Sequence, residues 1–280
     1  MIEFKLEQCS ALFARAEFTT GCRQCCGALA PRGFPPPLEA ANTCTGLLQQ
    51  LKKAELKMKQ ISTTGANSMI KAERGIIYSG VQKKQDGQYA PYFKFFDFVT
   101  NSAAIITKDV FSLAKFGKNY ELITPKVKDL IHSRSAMLPG GRVLVCERDG
   151  NSAVFGSDGS EKWRGVIKYK GFGPSDVAAD GIYIWCTFPE SNAVIKYNTN
   201  SMRHDFVIGG SASGGLNEPH SVFFDEDKLI IASLDGSICY ISLDNFQIVE
   251  RLDTDEIIYQ YTKTYSNEVI LCRSGIYTLY

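Results

Sequence analysis

The sequence predicts an all-β fold, a β-propeller of five or six four-stranded antiparallel blades preceded by a short helical and irregular extension. Three observations predict it. Five apolar runs recur at a near-constant interval, each is flanked by further strand-like segments, and Asp-Gly pairs stand at the turns between them.

The runs are SAAIITKD from Ser102, RVLVCERDG from Arg142, IYIWCTFPE from Ile182, KLIIASLDG from Lys228 and EVILCRSG from Glu268. Their starts are separated by 40, 40, 46 and 40 residues, and a period near 40 with several short strands per unit is the signature of propeller blades. The long interval holds SASGG, residues 211–215, an insertion that a surface loop accommodates. An antiparallel sandwich with accidental spacing is the competing architecture.

Around each run the other strands fall into place. PSDVAADG and PHSVFFDEDK precede two of the runs; VFSLAKF, SAVFGSDG, NAVIKYN, GSICYISLD and GIYTLY follow the five in order. KWRGVIKY, HDFVIGG and FQIVERL read as fourth, outer strands. Asp-Gly at Asp86, Asp149, Asp158, Asp180 and Asp235 supplies the positive φ that tight hairpins need. The final blade lacks an outer strand, and GIIYSGV from Gly75 is expected to close the ring by pairing with it, since an open sheet edge invites aggregation. Thr63 to Gln88 could instead form most of a sixth blade.

GPSDVAADGIYIWCTFPESNAVIKYN and GLNEPHSVFFDEDKLIIASLDGSICYIS, within residues 173–243, resemble repeats of the NHL family of propellers: a Gly-rich loop, a Pro, an apolar strand, an acidic turn and two further strands. The preceding unit, HSRSAMLPGGRVLVCERDGNSAVFGSDGSEKW, looks more like quinoprotein-like and arylsulfotransferase-like repeats, where a Trp follows the last Asp-Gly turn. The resemblance implies a propeller and leaves function open, because propellers serve as enzymes, scaffolds and sensors alike.

Residues 1–62 read as a separate extension before a propeller spanning 63–280. TTGCRQCCGALAPRGFPPPLEAANTC has no hydrophobic period and three consecutive prolines, as a loop or linker does. Leu47, Leu51, Ala54, Met58 and Ile61 then recur at helical spacing opposite Lys52, Lys53, Lys57 and Lys59, predicting an amphipathic helix over Leu47–Ile61 whose apolar face packs on the propeller rim, with pairing to a partner's helix or resting on a membrane surface as the alternatives. Cys22, Cys25, Cys26 and Cys44 are a weak candidate for structural zinc, since the one Cys-x-x-Cys knuckle lacks a second pair. No other cofactor is expected. Tripartite-motif proteins share the order of a cysteine-rich module, a helix and an NHL propeller, but not the pattern of zinc ligands.

Composition narrows the partners. Lys and Arg total 31 against 30 Asp and Glu, so no overall field draws the chain to nucleic acid or an anionic membrane. No apolar stretch is long enough for a transmembrane helix, and charges at Glu3, Lys5, Glu7, Arg15 and Glu17 interrupt any secretory core. Cys146, Cys186, Cys239 and Cys272 lie in apolar runs, as buried free thiols do in a reduced, intracellular compartment.

Propeller ligands bind where the first strands converge on the central channel. Aligned on the five runs, Lys94, Arg134, Ser175, His220 and Gln260 fall at equivalent rim positions, a polar and partly basic set able to receive an anionic group. An ordinary solvated rim is the bland reading of the same residues. NHL-like amidating lyases carry zinc-binding histidines in segments similar to EPHSV around His220, yet only His132, His204 and His220 exist, and Arg134 and Ser175 occupy the equivalent positions. Arylsulfotransferase-like enzymes use a histidine nucleophile among basic residues, which His132, Arg134 and His220 loosely match. Asp180, Asp225, Glu226 and Asp227, the acids a calcium-dependent lactonase would need, sit in hairpin turns. The expectation is a non-catalytic module for a protein or peptide partner, with a channel-mouth hydrolase, lyase or transferase acting through His220 and Arg134 as the alternative.

Overall fold

A computed structural model describes residues 54–63, 65–210, 215–265 and 267–280. The four candidate zinc cysteines and the first part of the expected helix lie outside them. The chain is a five-bladed β-propeller. Two short strands, β1 (Ala54–Glu55) and β2 (Met58–Ser62), come first. Blade 1 follows as β3 (Ala66–Ala72), β4 (Gly75–Lys83), β5 (Tyr89–Asp97) and β6 (Ser102–Ile105), and then two helices, α1 (Lys108–Phe116) and α2 (Tyr120–Ile123). Blade 2 is β7 (Arg134–Leu138), β8 (Arg142–Cys146), β9 (Asn151–Phe155) and β10 (Glu161–Val166). Blade 3 is β11 (Asp176–Asp180), β12 (Tyr183–Phe188), β13 (Ala193–Asn198) and β14 (Arg203–Gly209). Blade 4 is β15 (Pro219–Asp225), β16 (Lys228–Ser233), β17 (Ser237–Ser242) and β18 (Ile248–Asp253); blade 5 is β19 (Ile258–Lys263), β20 (Glu268–Cys272) and β21 (Gly275–Leu279), completed by β2.

Closure comes from a different strand than the sequence suggested. β2 pairs antiparallel with β21, Lys59 opposite Thr278, while Gly75–Lys83 is the second strand of blade 1. Ala54–Glu55 and Met58–Ser62 are therefore strands where the helix over 47–61 was expected. β1 also runs parallel to β18, with Ala54 opposite Leu252. Helical spacing of a few apolar residues is a weak signal, and the open edge of the last blade supplies backbone partners that override it. Ser102 likewise begins the outer strand of blade 1, and VFSLAKF is α1 rather than a third strand. Gly75 is the true counterpart of Arg142, and the longer interval between them holds the two helices.

The strand residues alternate between the two seams that flank their blade. Leu144 and Cys146 pack with Ile184 and Cys186 between blades 2 and 3, whereas Val143 and Val145 face the seam with blade 1. Leu229 and Ile231 join Trp185 and Val194 between blades 3 and 4; Ile230 and Ala232 join Tyr261, Ile270 and Cys272 between blades 4 and 5. Both faces are buried, so the inner strands read as unbroken apolar runs and not as alternating ones. The four thiols of β8, β12, β17 and β20 are free and buried, and burial raises their pKa values, to about 12 for Cys146 and Cys272 and about 11 for Cys239. They are packing groups rather than nucleophiles.

The Asp-Gly turns behave as their sequence predicts. At Gly236, φ is +85° and a Cβ would lie 2.2 Å from the Thr254 carbonyl oxygen, so only glycine fits.

The seam between blades 1 and 2 is built differently from the others. α1 lies in it, capped by Thr107, whose Oγ1 accepts from the Val110 amide, and ended by Gly117 at φ +73°. Phe111 packs on Ile77 and Phe93 of blade 1. Phe116 packs on Val143, Val145 and Phe155 of blade 2. The helix is thus a wedge with one aromatic for each neighbour.

Candidate functional site

The first strands β7, β11, β15, β19 and β3 surround the channel and are laced together by side chains. Arg134, at the start of β7, donates from Nε to the Ser175 carbonyl at 2.8 Å and from Nη1 to Ser68 Oγ at 3.5 Å. It also lies 3.9 Å from Asp176 Oδ1. Asp176 is 8% exposed; its Oδ2 accepts from Ser221 Oγ at 2.7 Å and from the Val222 amide at 3.2 Å, and its Oδ1 from the Val177 amide at 3.0 Å. Ser221 Oγ in turn accepts from the Tyr261 amide at 3.1 Å. Gln260 forms both halves of an amide pair with Met69, at 2.7 and 2.8 Å. Each bond crosses from one blade to the next or anchors one that does, so the ring is a structural girdle before it is anything else.

His220 belongs to this lacing. Its Nδ1 donates to the Tyr259 carbonyl at 2.6 Å, and its own carbonyl accepts from Thr187 Oγ1 at 3.0 Å. Burial first, then the Arg134 charge, hold its pKa below the ordinary 6.5. Ser175 participates through its backbone, accepting from Arg134 and donating to the Thr187 carbonyl at 2.9 Å.

Two residues from the sequence reading lie elsewhere. Lys94 is in β5, the third strand of blade 1, with its ammonium over the Tyr92 ring; blade 1 enters the girdle through Ser68 and Met69 of β3. His132 is exposed in the segment after the helices and pairs through Nδ1 with Asp129 Oδ2 at 2.7 Å. Asp225 forms an ion pair with Lys263 at 2.5 Å. Among the described residues, no three His, Cys, Asp or Glu side chains are grouped closely enough to hold a metal ion.

Inside the girdle is a cavity of about 240 Å³. Arg134, Asp176, Ser68 and Gln260 line it, and so does Lys115 from α1. Lys115 is 5% exposed and donates to the carbonyls of Leu130 at 2.6 Å and Ile131 at 3.3 Å. Burial, reinforced by the Arg134 charge, sets its pKa well below 10.5. Neither Lys115 nor Asp176 was among the sequence-predicted site residues. Lys115 carried one signal, since Phe111, Lys115 and Phe116 recur at helical spacing after Thr107 and Asp109; Asp176 adjoins the predicted Ser175.

No family model and no curated protein matches this chain. Among solved structures, a crystal structure of the computationally designed Ika4 protein aligns with a TM-score of 0.42 at 11% identity, over 52% of this chain and 88% of that one. The crystal structure of Myxococcus xanthus glutaminyl cyclase aligns with a TM-score of 0.47 at 5% identity, over 81% of this chain and 94% of that one. At such identities and scores, neither protein's chemistry transfers to the residues described above.

Proposed function

We propose that this chain is a non-catalytic interaction module that binds a protein or peptide partner at the mouth of its channel, in a reduced, intracellular setting. The observation that supports this reading is the use made of the polar side chains. His220 and Arg134, on which a hydrolase, lyase or transferase would depend, hold neighbouring strands through the Tyr259 and Ser175 carbonyls. A nucleophile needs an adjacent base free to take its proton. Here the His220 ring is hydrogen-bonded to the Tyr259 carbonyl and to no hydroxyl or thiol, and Asp176 accepts from three donors within and across its blade seam. Rigid blades with a polar rim suit docking better than proton transfer.

Affinity capture with the full chain, scored beside His220→Gln and Met137→Lys, tests this. Met137 is 38% exposed and lines the cavity, so Met137→Lys should weaken capture, while His220→Gln should leave it intact. A turnover by the wild type on ester, lactone or sulfate substrates that disappears in folded His220→Gln would overturn the reading.

A further inference from the structure

We propose that Lys115 and Arg134 form a carboxylate-binding pocket inside the channel, at the wedge between blades 1 and 2. The inference rests on the channel being the binding surface and names the chemistry it takes. Two cationic groups, Lys115 and Arg134, line the cavity against one acid, Asp176; Lys71 borders it too, but its ammonium sits over the ring of the exposed Tyr265. Asp176 already accepts from Ser221, Val222 and Val177, and the Gln260 amide is matched to Met69. The cavity wall therefore offers donors with few acceptors to match them.

The donor inventory makes this specific. A guanidinium carries five N–H groups and an ammonium three. Arg134 places one on the Ser175 carbonyl and one, at 3.5 Å, on Ser68 Oγ. Lys115 places two, on Leu130 and Ile131, and no carboxylate of the described residues lies within ion-pair distance of it. The Lys115 side chain enters between Phe111 and Phe116, its ammonium 5.5 and 5.9 Å from their ring centroids, and both aromatics are buried. A buried cation without a counter-ion is costly, and a bound anion removes the cost through charge-assisted hydrogen bonds.

Charge and size choose the anion. Lys115 and Arg134 together, less the nearby Asp176, leave one positive charge, which matches a monoanionic carboxylate rather than a phosphate dianion. A cavity of about 240 Å³ exceeds the roughly 10–15 Å³ that one water needs, so a carboxylate and part of its stem fit. The carboxylate can be that of a free acid or of an acidic side chain on a peptide.

The test titrates the full chain by calorimetry with acetate, succinate, inorganic phosphate and a short Asp/Glu-containing peptide, in wild type, Lys115→Met and Lys115→Arg. We expect carboxylates to bind, Lys115→Met to weaken them at least about tenfold, and Lys115→Arg to stay within about threefold. Binding by the peptide but not the free acids identifies the source as a partner's side chain. Equal affinity in wild type and Lys115→Met, phosphate binding alone, or no binding overturns the proposal. Should Lys115→Met fail to fold, lysine labelled with ¹³C at Cε reports in the wild type: a saturable shift of the Lys115 signal, the one buried lysine among the described residues, on adding carboxylate is expected, and its absence overturns the assignment. Loss of carboxylate binding with partner capture intact removes this pocket only. Carboxylate binding without any partner captured removes the interaction reading and leaves the pocket standing.

Discussion

The seam between blades 3 and 4 and the seam between blades 1 and 2 join similar sheets by opposite means. Between blades 3 and 4 the contact is direct: Asp176 reaches across to Ser221 and Val222, and Trp185, Val194, Leu229 and Ile231 fill the space behind it. Between blades 1 and 2, α1 occupies the gap with Phe111 on one side and Phe116 on the other, and the direct polar link is the 3.5 Å contact from Arg134 to Ser68. The first seam is saturated and apolar behind its one carboxylate. The second brings a lysine and an arginine to the cavity with hydrogens to offer. A propeller seam closed by a wedge can carry recognition chemistry that a seam closed by matched sheets cannot.

The largest expected effect falls on the wedge. Phe111 is fully buried, so Phe111→Ala should cost about 3–5 kcal/mol in denaturant unfolding. A cost under about 1 kcal/mol would mean that α1 rests on the propeller without holding it. At the other seam, Asp176→Ala strips three donors of their acceptor and should cost about 2–3 kcal/mol. The two losses should add to within about 0.5 kcal/mol in the double variant, since they lie at different seams. Strong coupling would show the two seams to be one unit.

Gln260→Ala, which frees the Met69 amide and carbonyl between blades 5 and 1, should cost about 1–2 kcal/mol. The smallest effect is a pH dependence. His220 has its folded pKa lowered below 6.5, so the unfolded chain binds the proton more readily. Stability from this group is complete above pH 6.5 and is lost as pH falls from there toward the lowered folded value. His220→Gln should flatten that part of the stability profile, and an unchanged slope would locate the titration elsewhere.

Much of this was legible in the sequence, and the reason is burial on both faces. VLVC, YIWC, IIAS and VILC sit between two seams each, which makes them conspicuous apolar runs, and four of the five registered strands are second strands as expected. Blade 1 was misregistered because its outer strand SAAI is apolar although all four residues are exposed, so it imitates an inner strand. That slip moved the predicted rim residue from Ser68 to Lys94. Arg134, Ser175, His220 and Gln260 lie on or beside first strands, but their hydrogen bonds depend on the neighbouring blade, which no local pattern encodes. Lys115 was hidden because VFSLAKF has an apolar content that fits strand or helix, and the packing of Phe111 and Phe116 on different blades decides between them.

The most direct test of the account is hydrogen exchange on the full chain with and without a saturating carboxylate. Slower exchange confined to the amides of Lys108–Phe116 and Arg134–Leu138, with the β11–β15 seam unchanged, is the predicted result. Protection spread evenly around all five blades, or absent from α1, would contradict it.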